Sequence, residues 1–234
     1  VKGSVAGTVG TADQLTVTKL SSAGFHNVSM NVKAGEIVGI AGVQGNGQSE
    51  LMRALAGLSG SSGEVAVEGA AVRRGSNVHA AKSGMVFVPA DRHGEGVFLP
   101  LSVGSNIVAH TLRRFSPGGV VGESRIARAA REQIEKLGIK TPSSRTPIQS
   151  LSGGNQQKVV LARTLLAHPK VILAEEPTQG VDAGARVEIY QILRDAADQG
   201  AAVVILSSDG VELEGLCDRV LIMSRGQVVK ELVG

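Results

Sequence analysis

The chain has 234 residues, enough to bury a core without covalent staples, and its 24 Lys and Arg nearly balance 21 Asp and Glu, for a formal net charge of +3. One cysteine, Cys217, rules out a disulfide framework and fits a reducing compartment. With 2% aromatic residues, no Trp and no basic run, no nucleic-acid partner is expected, and no run of roughly 18 apolar residues is present to cross a membrane.

In chain order, the opening VKGSVAGTVGTADQ lacks an apolar stretch behind basic residues. It is no signal peptide, and residues 1–13 read as a flexible lead-in, a linker or cloning remnant. Apolar runs at 36–41, 85–88, 171–174, 202–206 and 220–223 are rich in Val, Ile and Leu and do not alternate, which predicts central parallel strands covered on both faces. Helical patterns at 48–56, 154–167 and 183–198 lie among them, and the alternation points to an α/β fold. GEVAVEGAAV (63–72) and RVLIMSRGQVVKEL (219–232) each read as an antiparallel hairpin around a Gly turn. The stretch from about 93 to 150 differs, with Pro- and Gly-containing loops and then a charged helix at 123–137, and reads as a mostly helical insert that packs one stripe.

EIVGIAGVQGNGQSELMRALAGL reads as strand, loop, helix. Gly42, Gly45 and Gly47 let backbone N–H groups converge on an anion at a helix N-terminus that favours negative charge. The phosphate-loop pattern G-x-x-x-x-G-K-[ST] requires Lys where Gln48 stands, while Ser49 stands where a hydroxyl reaches Mg2+. A neutral amide still donates hydrogen bonds but brings no charge, and a charge-assisted bond is about twice as strong. ATP binding should weaken by roughly 1–3 kcal/mol. The expected nucleotide contacts here are Gly42, Gly45, Asn46, Gly47, Gln48, Ser49 and Glu50. A tight glycine turn without a ligand is the plainer alternative.

About a hundred residues on comes LSGGNQQKVVLARTLLAHPKVILAEEPTQGVD. Ser152, Gly153 and Gly154 open a helix whose free N–H groups and Ser152 hydroxyl form an anion site; taken alone, an ordinary Ser cap would explain them. Signature, amphipathic helix, apolar strand, acidic pair and Asp182 follow in an order that resembles the nucleotide-binding domain of ABC transporters, over about residues 14–234. SGGNQQK and VPADRHGEGVF resemble the second ATPase half of bacterial sugar or nucleoside importers, in which two halves are fused, and GIAGVQGNGQSEL leans toward the nucleoside type.

The resemblance implies a P-loop ATPase core with a mostly parallel sheet flanked by helices, an antiparallel β subdomain and a helical insert. It implies ATP and Mg2+ as cofactors. A second ABC nucleotide-binding domain, fused upstream in the natural chain, and membrane permease subunits are the implied partners, with the protein peripheral on the cytoplasmic face of the inner membrane. Ser152, Gly153, Gly154 and Gln156 would face the γ-phosphate held by the partner domain, and Asp182 would cross the dimer interface. Glu175, with Ser49, would support Mg2+, and Glu176 would be the general base. The chain departs from the family pattern at Gln48, at Ser208 in place of a switch histidine and at Ala90 in place of a loop glutamine. Phe25 is a candidate for adenine stacking, but core packing is the preferred reading. Arg92 reads as a solvated loop charge, Arg113 and Arg114 as a surface pair, and the five scattered histidines do not suggest a metal. The losses fall on the chain's own nucleotide site and spare what it offers a partner, which predicts an asymmetric pair. A self-sufficient homodimeric ATPase and a non-catalytic scaffold are the alternatives.

Overall fold

In the computed structural model the residues described are 9–115 and 122–233. Among the described residues two units are distinct: one comprises 9–87, 169–177 and 193–233, the other 88–115, 122–168 and 178–192.

The first unit is built on a six-stranded sheet in the order β10 (Gln227–Val233), β9 (Arg219–Ser224), β3 (Ile37–Ala41), β8 (Ala202–Leu206), β7 (Val171–Glu175) and β6 (Met85–Val88). β3 runs parallel to both β8 and β9, and β7 parallel to β8, whereas β9 and β10 form the expected antiparallel hairpin. All residues of β7 and β8 are buried, so covering on both faces explains why their sequences do not alternate. Gly39, in the middle of β3, has a packing reason: a Cβ there would stand 2.9 Å from Cys217 Sγ and 3.0 Å from Leu213, at the end of α7 (Gly210–Leu216).

A second, antiparallel sheet has the order β2 (Phe25–Lys33), β1 (Asp13–Ser22), β4 (Ser62–Val67) and β5 (Ala70–Ala71). The hairpin at 63–72 is present, but β1 and β2 were not among the predicted strands. Their inward positions, Leu15 and Val17 against Val28, Met30 and Val32, join the core with Phe25, which is 1% exposed and packs there as expected. Each fully buried aliphatic or Phe side chain is worth about 1.5–3 kcal/mol. Of the expected lead-in, residues 1–8 lie outside those described. From Gly10 the chain is tied down: Gly10 N–H donates to the Ala34 carbonyl at 2.7 Å, and Ala34 N–H donates to Ala12 at 3.2 Å.

The second unit holds a π-turn (Arg92–Gly96), α3 (Val103–Val108), a 3-10 stretch (Ala109–Phe115), α4 (Glu123–Lys136), a 3-10 turn (Ile148–Ser150) and α5 (Gly153–Leu166). α3 packs on α4 and α5, and α4 buries only Ala130. α5 corrects the expectation of an amphipathic helix. Its polar residues Gln156, Gln157, Lys158, Arg163 and Thr164 are buried with its apolar ones. Burial is tolerated where their polar atoms find partners inside the unit, though the Arg163 Nε is buried without one. Lys158 pairs with Glu188 and donates to the Gly138 carbonyl at 2.8 Å, Thr164 Oγ1 donates to Val160, and Arg163 donates to Gly96. Burial pulls the Arg163 pKa down to about 10, and its guanidinium lies 6.0 Å from the Phe98 ring centroid.

Candidate functional site: a phosphate loop and a signature helix tip

In the first unit, β3 runs into the loop 42–47 and then α1 (Gln48–Leu55). The N-cap of α1 is Gly47, left-handed at φ 93°, and no side chain caps the helix. A Cβ on Gly47 would run into the Gly24 carbonyl, so glycine is required on both counts. Gln48 is 4% exposed and folded into the loop. Its Oε1 accepts from Asn46 N–H at 3.1 Å and its Nε2 donates to the Val43 carbonyl at 3.1 Å. A Cβ on Gly42 would collide with that amide nitrogen. One of the N–H groups of the loop is therefore engaged by the chain's own side chain. Asn46 is engaged as well: its Nδ2 donates to Val43 at 2.7 Å, and its Oδ1 accepts from Arg225 N–H at 2.6 Å, in the turn between β9 and β10. Gly45 has open space around it, and Glu50 is an exposed acid in the first turn of α1 that complements the helix dipole.

Ser49 Oγ donates to Glu175 Oε1 at the buried end of β7. This hydroxyl–carboxylate pair is an all-oxygen donor set suited to a hard cation such as Mg2+, which takes few protein ligands and completes its shell with water and phosphate. Among the described residues no group of three or more His, Cys, Asp or Glu could hold a metal. Glu176, the next residue, sits at φ 44°. A side chain in the left-handed region costs about 1–2 kcal/mol. Two bonds hold it there: its N–H donates to the Leu206 carbonyl at 2.8 Å, and its Oε1 accepts from Ser208 N–H at 2.7 Å. The Glu176 carboxylate and the Ser208 backbone amide thus meet.

In the second unit, Ser152 is the extended N-cap of α5, its Oγ accepting from Asn155 Nδ2 at 2.9 Å and, more loosely, from Asn155 N–H at 3.5 Å. A Cβ on Gly153 would stand 3.0 Å from the Gly180 carbonyl, and one on Gly154 2.5 Å from the Ala185 Cβ. The close approach of the segment 180–185 leaves no room for a side chain at Gly154 and little at Gly153. Asp182 Oδ1 accepts from Ala185 N–H at 2.9 Å at the start of α6 (Ala183–Asp198). That N–H, foremost, holds the Asp182 carboxyl below its usual pKa.

Two readings of single residues change here. Gln156, expected to face nucleotide, is 5% exposed and turned inward: Nε2 donates to the carbonyls of Ile148 at 3.3 Å and Leu151 at 3.2 Å. Arg92, expected as a solvated charge, is half-buried; desolvation lowers its pKa, and it donates to Gln156 Oε1. The expectation failed because sequence spacing does not show that the π-turn after β6 folds its side chains back onto α5.

The family model for the ABC transporter matches residues 25–179. The chain is 43% identical over 227 residues to a ribose import ATP-binding protein of Mesorhizobium japonicum, covering 95% of this chain and 44% of that protein. It is 46% identical over 210 residues to a ribose import ATP-binding protein of Rubrobacter xylanophilus, covering 89% and 42%. The chain spans less than half the length of these curated relatives. A dimeric ATP-binding cassette in a post-hydrolysis state with ADP and phosphate superposes with TM-score 0.77 at 23% identity, over 94% of this chain and 98% of that one. A nucleotide-free cassette from an ABC transporter gives 0.79 at 20% identity, over 95% and 92%. These two likenesses are of fold.

Proposed function

The chain belongs to the ABC transporter family, and from that premise we propose that it is one nucleotide-binding half of an importer ATPase that energises uptake of a sugar or nucleoside. The relatives, ribose import ATP-binding proteins, speak for a sugar; the loop GIAGVQGNGQSEL leans toward a nucleoside. In this reading the chain pairs with a second nucleotide-binding domain and sits peripherally on permease subunits at the cytoplasmic face of the membrane. Its own phosphate loop is degenerate, and its signature tip completes the partner's site.

The observation that carries the asymmetry is the Gln48 amide. It supplies no positive charge, and it takes the Asn46 N–H that would otherwise be free for a phosphate oxygen. A nucleotide entering this loop must first displace that bond. Ser49 and Glu175 would hold Mg2+, which would supply positive charge against the phosphates. Glu176 would orient a water, yet one of its oxygens is held by Ser208 N–H, and serine has no imidazole to carry a proton or charge. At the other end, Ser152 is exposed at the N-terminus of α5, where the helix dipole favours an anion with no lysine required.

The test is ATP turnover by the purified chain and by its mixture with a lysine-bearing partner domain. The proposal expects no more than trace hydrolysis alone and restored hydrolysis in the mixture. Robust turnover by the chain alone identifies a self-sufficient homodimer, and a mixture indifferent to Ser152→Ala identifies a scaffold.

A further inference from the structure

We propose that Arg92 is a positioning residue for the signature helix, a fork that locks the α5 tip to the segment carrying Asp182. This rests on the reading above for its consequence in catalysis, but not for its geometry.

The guanidinium donates in two directions. Nε donates to Gln156 Oε1 at 3.3 Å, and Nη1 donates to the Gln179 carbonyl at 3.3 Å. Nη2 lies 3.1 Å from where a Cβ on Gly153 would stand, so the third nitrogen rests on the first residue of α5. His93 adds a second hold on the same acceptor, with Nε2 3.0 Å from Gln156 Oε1; the bond needs the hydrogen on Nε2. Gln156 relays the hold, because its Nε2 bonds the Ile148 and Leu151 carbonyls that lead into Ser152. The planar geometry of Arg92 is what lets one side chain serve Gln156 and Gln179 together, which a lysine ammonium does less well. Gln179 and Gly180 border a cavity with Ala90, Asp91, Arg92 and His93. Ala90 has no polar side chain to offer a nucleotide, and the polar groups that follow it, Arg92 and His93, are turned on α5.

The experiment uses the whole chain and two variants, Arg92→Ala and Arg92→Lys. In the chain alone, hydrogen exchange of the amides at 152–157 and 178–182 should speed up roughly tenfold in Arg92→Ala, the loss expected for bonds from a charged donor, with β3 and α1 unchanged and Arg92→Lys intermediate. In the mixture with a lysine-bearing partner, Arg92→Ala should lower kcat roughly tenfold and leave the KM for ATP unchanged, and Arg92→Lys should recover part of it. Unchanged exchange at 152–157 overturns the proposal, as does a change confined to KM. Ser152→Ala in the same mixture separates the two readings: if hydrolysis survives it, the pairing is wrong, while the exchange result still decides the role of Arg92.

Discussion

Two glycine-rich helix starts in this chain have opposite fates. At α1 the N-cap is a left-handed Gly47 with no side-chain cap, and a neighbouring amide, Gln48, takes up a donor of the loop. At α5 the N-cap is Ser152 in the extended region, its Oγ takes the Asn155 N–H only loosely, at 3.5 Å, and Gln156 and Lys158 behind it bond inside the unit, away from the tip. Both starts carry the same positive end of a helix dipole. Glycine alone therefore does not make an anion site: the side chains next to it decide whether its N–H groups remain available.

The largest effect that would test this contrast is at the α5 tip. Ser152→Ala should cut hydrolysis by the assembled pair by roughly 10²–10³-fold, as loss of a transition-state donor does, with a smaller loss of about 0.5–2 kcal/mol of stability from the missing α5 cap. The matching change at α1 is Gln48→Lys, which restores a charge and releases the Asn46 N–H. ATP affinity of the chain should rise roughly tenfold or more, read by calorimetry. No gain would mean that the tether of Asn46 to Arg225, not the missing charge, controls the loop.

Much of this was legible in the sequence, for identifiable reasons. β7 and β8 are buried on both faces, so they read as unbroken apolar runs, and strand–loop–helix order placed the phosphate loop. β1 and β2 were missed because alternation of Val28, Met30 and Val32 with polar residues is a weaker signal and an Ala23-Gly24 turn splits the pair. α5 misled for the opposite reason: Lys158 and Arg163 signal a solvated face, and only their partners Glu188 and Gly96 explain their burial. The inward turn of Arg92 and Gln156 is a long-range contact across 64 positions, which local spacing does not encode.

Smaller effects sharpen the comparison further. Gly154→Val should destabilise the chain by overpacking against Ala185, by about 1–3 kcal/mol in denaturant unfolding, so that lost pair activity there would report folding and not phosphate contact. Asp182 caps α6, and its carboxyl is held below its ordinary value in the fold, so its stabilisation is present above the unfolded pKa and fades as pH falls through the folded one. Asp182→Asn should flatten the acid limb of the stability curve below about pH 4 and lower neutral stability by the small share the carboxylate contributes there. The smallest effect is at Cys217, whose thiol burial raises to about 12. It should resist thiol reagents at pH 8 in the folded chain and react once the chain is unfolded.

The most direct measurement locates the hydrolysed nucleotide in the assembled pair. With vanadate present, a photoreactive ATP analogue hydrolysed to its diphosphate should be trapped on the lysine-bearing partner, opposite Ser152. Label trapped instead on this chain, at the loop holding Gln48, would contradict the asymmetry.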